Sequence, residues 1–345
     1  MKPPLDRRFD WLVACASYLL SGGILIDAWS HYHETIETFF TPSHAVIYGA
    51  FAILFGTFGW KVLSNKMHGY AWNDCLPHAY RWSALGIGIF FIGGLGDMAW
   101  HAIMGIEQGI DVLLSPTHMT IGLAILLIIS GPIRSNMENR PSESSFINQL
   151  PAWISLAAIL SVFHFATQFA MQPGADAANA PLGFHGFSPD LLTLLTLGFY
   201  KQGFGLVIMM LQALLMSAIS LLAVTNLPRF PGMLTIILVL GNIQAGAMLS
   251  NGPVFFVTIA VMSVVAGIVG DVYVWRFDPS TIRVGALRVF GGLVPAVYSA
   301  AYILTTDVVA HGVWWDPNVI FGAILYSAAV GLGLTFLVVS RGASI

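Results

Sequence analysis

The chain has 345 residues, 57% of them hydrophobic and only 9% charged, with a formal net charge of −3. So few charges cannot cover a water-facing surface, which excludes a soluble globular protein, and the near-neutral balance leaves no footprint for nucleic acid. Apolar runs of about 20 residues instead mark an integral membrane protein, with the lipid bilayer as its first partner.

Ten spans are expected in order: Trp11–Trp29, His44–Val62, Trp82–His101, Leu114–Ile133, Trp153–Met171, Phe204–Val224, Gly232–Leu249, Val254–Val274, Leu287–His311 and Val319–Val339. The fold class is all-α, a polytopic helical bundle assembled from helical hairpins. One transmembrane domain, 1–345, is expected to comprise a first hairpin over 11–62, a second over 82–133, and the remaining spans over 153–339. The opening run follows basic residues as a signal peptide does, yet it is too long for one and reads as an uncleaved span. Cys15 lies in that run and Cys75 in a polar loop, so no disulfide framework is implied.

Charge alternates sharply between the loops. Lys2, Arg7, Arg8, Lys61, Lys66, Arg81, Arg134, Arg140, Arg229, Arg276, Arg283, Arg288 and Arg341 share one side, and Lys201 alone falls on the other. The positive-inside rule then puts both termini in the cytoplasm. Carboxylates and most histidines gather on the opposite, exterior side. The exterior loop from about Gln172 to Tyr200 reads as a connector, with a lid as the alternative.

Chemistry concentrates in two places. Asp27 and His31 are four apart and share one helix face, and His44 follows at the start of the next span, inside Thr41-Pro42-Ser43-His44. A hydroxyl residue followed by proline is a helix-start signal. The same residue types recur as Asp97, His101 and His118, the last inside Ser115-Pro116-Thr117-His118, with four extra residues before that signal. One carboxylate and two imidazoles suit copper, with zinc or iron also compatible. An Asp–His hydrogen bond locking two helix ends is the plainer account, and spacing alone leaves both open.

The set Asp27-x3-His31-x12-His44, closing in Phe40-Thr41-Pro42-Ser43-His44, resembles the copper-binding corner of the C subunit of particulate methane and ammonia monooxygenases. Tyr48 and the pair Glu37-Thr38 fit the same style of sequence, and the resemblance covers about residues 27–55. It implies copper at Asp27, His31 and His44, facing the exterior of a bacterial or archaeal cell membrane. It also implies an oxygen-activating monooxygenase acting on a small apolar or ammonia-like substrate, with other membrane subunits and a quinol or other electron donor as partners. The family's C subunit carries one such corner, whereas this chain has two.

Around these sets, Glu37, Glu107, Asp111 and His33 are candidates to orient the ligand imidazoles. Asp307 and His311 form a third i,i+4 pair with no hydroxyl-Pro-His partner, and structural pairing is expected there. His164 reads as a buried structural histidine, Asn242 and Gln244 as helix–helix glue, and Asp271 as a partner for Arg276. No Ser/His/Asp or Cys/His set is present, so no catalytic residue is named. Two other functions fit the same residues. A membrane metal transporter or periplasmic metal-acquisition protein predicts ligands continuing across the bilayer, and a haem b protein predicts axial ligands such as His44 and His118.

Overall fold

The computed structural model describes residues 6–33, 41–105, 111–138, 145–167, 191–249 and 253–339, and among them there is no strand. The helices are α1 (Arg7–His33), α2 (Pro42–Met67), α3 (Arg81–Met104), α4 (Asp111–Leu114), α5 (Pro116–Ile129), α6 (Gly131–Glu138), α7 (Phe146–Ala166), α8 (Leu191–Asn226), α9 (Met233–Leu249), α10 (Pro253–Phe277), α11 (Val284–Val309) and α12 (Pro317–Val339). Among the described residues nine stretches are long and apolar enough to cross a membrane, and Met233–Met248 is a tenth, shorter apolar helix. The chain is therefore an all-α polytopic bundle. Both cysteines are free.

Most helices run a few residues past the expected bounds, and three departures have a local reason. Helix α7 begins at Phe146 rather than Trp153, carrying Pro151 inside it. Its polar first turn is retained because the fully buried Gln149 accepts a 2.7 Å hydrogen bond from Asn136. Helix α8 begins at Leu191, so the expected loop up to Tyr200 is helical in its last part, and residues 168–190 lie outside the described residues. The fourth span is interrupted at Ser130, between α5 and α6, where Pro132 has no N–H to give the preceding turn. The carbonyls freed there find other donors. Ser83 Oγ donates to Leu127 and Ile128, Arg134 to Leu127, and Ser155 to Ile129. Backbone in a bilayer must be satisfied this way, since no water is at hand.

The described residues fall into two compact units, Met1–Ala166 and Thr167–Ile345. In the first, α1 packs on α2 and α7, and α3 packs on α5. Apolar side chains gain nothing by leaving lipid, so contact depends on close packing and on polar ties. Gly86 allows the closest approach of α3 to α5, where an added Cβ would stand 2.8 Å from the Ala124 carbonyl oxygen. Phe51 of α2 stacks on Phe90 of α3 with ring centroids 4.3 Å apart. At the end remote from the corners, the buried Asp10 accepts from Tyr80 (2.6 Å) and Ser135 (2.9 Å), tying α1 to the start of α3 and to α6.

In the second unit α9 through α12 pack in sequence, and α12 closes on α8. Asp271 does not turn to Arg276. Its carboxylate accepts from the backbone N–H of Leu234 and Thr235 and from the Thr235 hydroxyl, at 2.9, 3.0 and 2.7 Å. A carboxylate from α10 thus caps the N-terminus of α9, which has no capping side chain of its own. Asn242 is buried and accepts from Tyr298 at 3.0 Å, the helix-gluing role expected of it.

Candidate metal centre

Each corner is built by one helix end and one helix start. Thr41 is the N-cap of α2 in extended conformation (φ −112°, ψ 160°), and its side chain accepts from the His44 N–H. Proline follows at the first helical position, which needs no donor. Ser115 does the same for α5, accepting from the His118 N–H at 3.3 Å. Capping fixes where each helix begins, and so fixes the azimuth of the histidine three residues on.

In the first corner Asp27 Oδ2 stands 3.6 Å from His31 Nε2 and 3.4 Å from His44 Nε2. In the second, Asp97 meets His101 Nε2 at 3.4 Å and His118 Nε2 at 3.6 Å. Within each trio the three candidate ligand atoms all lie within 4.8 Å of one another. These nitrogen–oxygen distances exceed the roughly 2.7–3.2 Å of a hydrogen bond. They match the edge of about 3.3 Å between two ligand atoms held tetrahedrally at ~2.05 Å from one ion. The imidazole faces are inclined rather than parallel, 74° in the first corner and 63° in the second.

A second layer holds the ligands. Ser43 donates to Asp27 Oδ1 at 2.7 Å, and Thr117 donates to Asp97 Oδ1 at the same distance. The capping hydroxyls turn to the far ring nitrogens, Thr41 Oγ1 lying 3.1 Å from His44 Nδ1 and Ser115 Oγ 2.6 Å from His118 Nδ1. His101 Nδ1 is 3.3 Å from the Gly105 carbonyl oxygen, which accepts. Tyr48 stacks on His44, centroids 5.8 Å apart and 18° from parallel.

The corners also lie close enough to feel each other. His31 interacts electrostatically with His101 and His118, and Tyr48 with both Asp27 and Asp97.

The remaining candidates are placed as follows. His33 is exposed, donating from Nδ1 to the Trp29 carbonyl at 2.8 Å and stacking on that indole, so it belongs to neither trio. Glu37 and Glu107 lie outside the described residues, and Asp111 opens the short helix α4. Asp307 and His311 are not brought together. Helix α11 stops at Val309 and His311 takes a left-handed backbone (φ 59°), which breaks the i,i+4 register, and both side chains are exposed. His164 is buried within α7, and Asp271 serves the α9 cap.

Sequence reasoning missed one layer. Gly23 lies four residues before Asp27, and Gly93 four before Asp97. Ile47 and Ile121 lie three after the respective histidines. A Cβ at Gly23 would stand 3.1 Å from Ile47, and one at Gly93 would stand 3.1 Å from Ile121. Glycine against isoleucine therefore sets how closely the two helices of each hairpin approach, one turn below the ligands. The signal was present as a common offset in both copies, hidden in a glycine-rich span.

Comparison with protein-family models, with curated proteins and with solved structures finds no match to this chain.

Proposed function

We propose that the protein is a membrane copper protein of the oxygen-activating monooxygenase type, with one ion held by Asp27, His31 and His44 and a second by Asp97, His101 and His118. The observation that carries this reading is the convergence of two Nε2 atoms on one carboxylate at 3.4–3.6 Å, made twice in one chain. Two imidazoles and a carboxylate favour copper among divalent ions, and the first corner's likeness to the methane and ammonia monooxygenase C subunit points the same way. Copper held by these residues would supply one-electron chemistry.

The protein's own residues do the rest. Asp27 and Asp97 bring the negative charge that offsets a cation at membrane depth, where an unpaired charge is costly. Thr41, Ser43, Ser115 and Thr117 hold the ligands in place. Apolar helices around the corners admit a small uncharged substrate from the bilayer while limiting water.

Metal analysis and electron paramagnetic resonance of the full chain purified without chelators test the proposal. Two equivalents of copper are expected, with nitrogen hyperfine structure. His44→Ala and His118→Ala should each remove one equivalent. Copper retained in full by the double variant would reject both sites, and zinc alone would remove the oxidative chemistry.

A further inference from the structure

We infer that the paired hydroxyls Thr41/Ser43 and Ser115/Thr117 are positioning residues that dictate which ring nitrogen of His44 and His118 carries the proton, leaving each Nε2 lone pair aimed at its aspartate. The inference rests on the reading of the corners as metal sites and concerns how they are kept ready. Its basis is a count of protons. The Ser43 hydroxyl has one, and it goes to Asp27 Oδ1 at 2.7 Å. Thr41 and Ser43 oxygens are 2.8 Å apart, so the proton between them belongs to Thr41. Thr41 then has none left for the ring, and the 3.1 Å contact to His44 Nδ1 is made by a proton on the nitrogen. A neutral imidazole protonated at Nδ1 has its lone pair at Nε2, the atom that faces Asp27.

The second corner repeats the chain with its hydroxyls exchanged. Thr117 donates to Asp97, Ser115 lies 3.2 Å from Thr117, and His118 Nδ1 lies 2.6 Å from Ser115. Serine and threonine trade places while the same set of contacts recurs, with a longer hydroxyl–hydroxyl distance than the 2.8 Å of the first corner. Methyl groups are thus incidental and the two oxygens are the common requirement. A lone pair facing a carboxylate is repulsive until a cation lies between them. The relay therefore keeps each corner ready for a metal ion instead of letting ring and carboxylate pair with each other.

The test is solid-state nitrogen-15 NMR of the metal-free full chain in lipid bilayers at neutral pH, with His44 and His118 assigned by their loss in His44→Ala and His118→Ala. Both rings should be protonated at Nδ1. Ser43→Ala keeps the Thr41 cap but releases the Thr41 proton toward the ring. The His44 signal should then move toward the Nε2-protonated form, and copper binding at that corner should weaken about 10–100-fold, with His118 unchanged. The exchange Thr41→Ser with Ser43→Thr makes the first corner a copy of the second and should restore both readouts. Nε2-protonated rings in the unaltered protein would mean that the chain runs from a carboxyl donor, and would overturn the inference. So would an unmoved His44 signal in Ser43→Ala. Nδ1-protonated rings in a protein that takes up no copper would sink the metal reading and leave the relay standing.

Discussion

The two corners share their ligands and differ in what surrounds them. Asp97 is the more enclosed carboxylate, its side chain 6% exposed against 14% for Asp27. The histidine on the same helix as each aspartate follows that order, His101 being 10% exposed against 18% for His31, whereas the one from the next helix inverts it, His118 being 21% exposed against 11% for His44. The first corner also has Tyr48 lying on His44, and the position four residues after His118 is Gly122, where an added Cβ would meet open space. What recurs is the set that fixes bond directions: carboxylate, two nitrogens, two hydroxyls, a glycine and an isoleucine. What varies is shielding. Two ions in such surroundings would share a coordination shell but differ in access to solvent and small molecules.

The comparison can be broken most strongly at its shared packing layer. Gly23→Val should drive α2 away from α1 at Ile47, costing about 1–3 kcal/mol of stability through overpacking and removing metal from the first corner alone. Gly93→Val should do the mirror experiment on the second. Thermal unfolding in detergent together with metal stoichiometry reads both effects, and loss of both ions from either variant would show that the hairpins are not independent.

A smaller effect sharpens the difference. Tyr48→Ala gives the first corner the open flank of the second. Aromatic pairs contribute about 0.5–1.5 kcal/mol beyond their area, so copper competition titrations should show affinity falling by roughly 2–10-fold at the first corner and not at the second.

The smallest effect lies at the far ends of the same hairpins. The first is tied by Asp6 and Lys61 at 2.7 Å, the second by Arg134 donating to the Ala79 carbonyl at 2.8 Å and to Ser83 at 2.9 Å. Burial disfavours the ionised Asp6 carboxyl, but hydrogen bonds from Lys61 and from the N–H groups of Phe9 and Arg8 outweigh it and hold its pKa below the ordinary 3.8. A depressed carboxyl pKa stabilises the folded state above the ordinary value, and the benefit is lost as pH falls through the lowered one. Melting temperature should therefore decline slightly on acidification below about pH 4, the ordinary carboxylate range. Asp6→Asn should flatten that decline, and an identical slope in the variant would remove the ion pair from the account.

Sequence patterns revealed the elements whose signals are local. Thr41-Pro42 and Ser115-Pro116 announce two helix starts by a hydroxyl cap and a missing N–H, and i,i+4 spacing puts Asp27 beside His31. Signals that depend on a distant partner stayed hidden. Pro151 argues against helix until Asn136 is seen holding Gln149. The break at Ser130 survives in an apolar slab because Ser83 and Ser155 approach from two other helices. Asp271 has a basic neighbour in sequence, and its real partners are backbone groups 36 and 37 residues away. The i,i+4 rule also misled at His311, since it presumes a helix that has already ended.

Asp271 has one further consequence. Helix α9 has 17 residues, a rise of about 25 Å against a hydrocarbon core near 30 Å, and its leading amides depend on a side chain translated later. Until α10 follows, the amides of Leu234 and Thr235 lack this acceptor. The two helices are therefore expected to leave the translocation machinery as a joined hairpin, and the order of synthesis becomes part of how this short segment finds its depth.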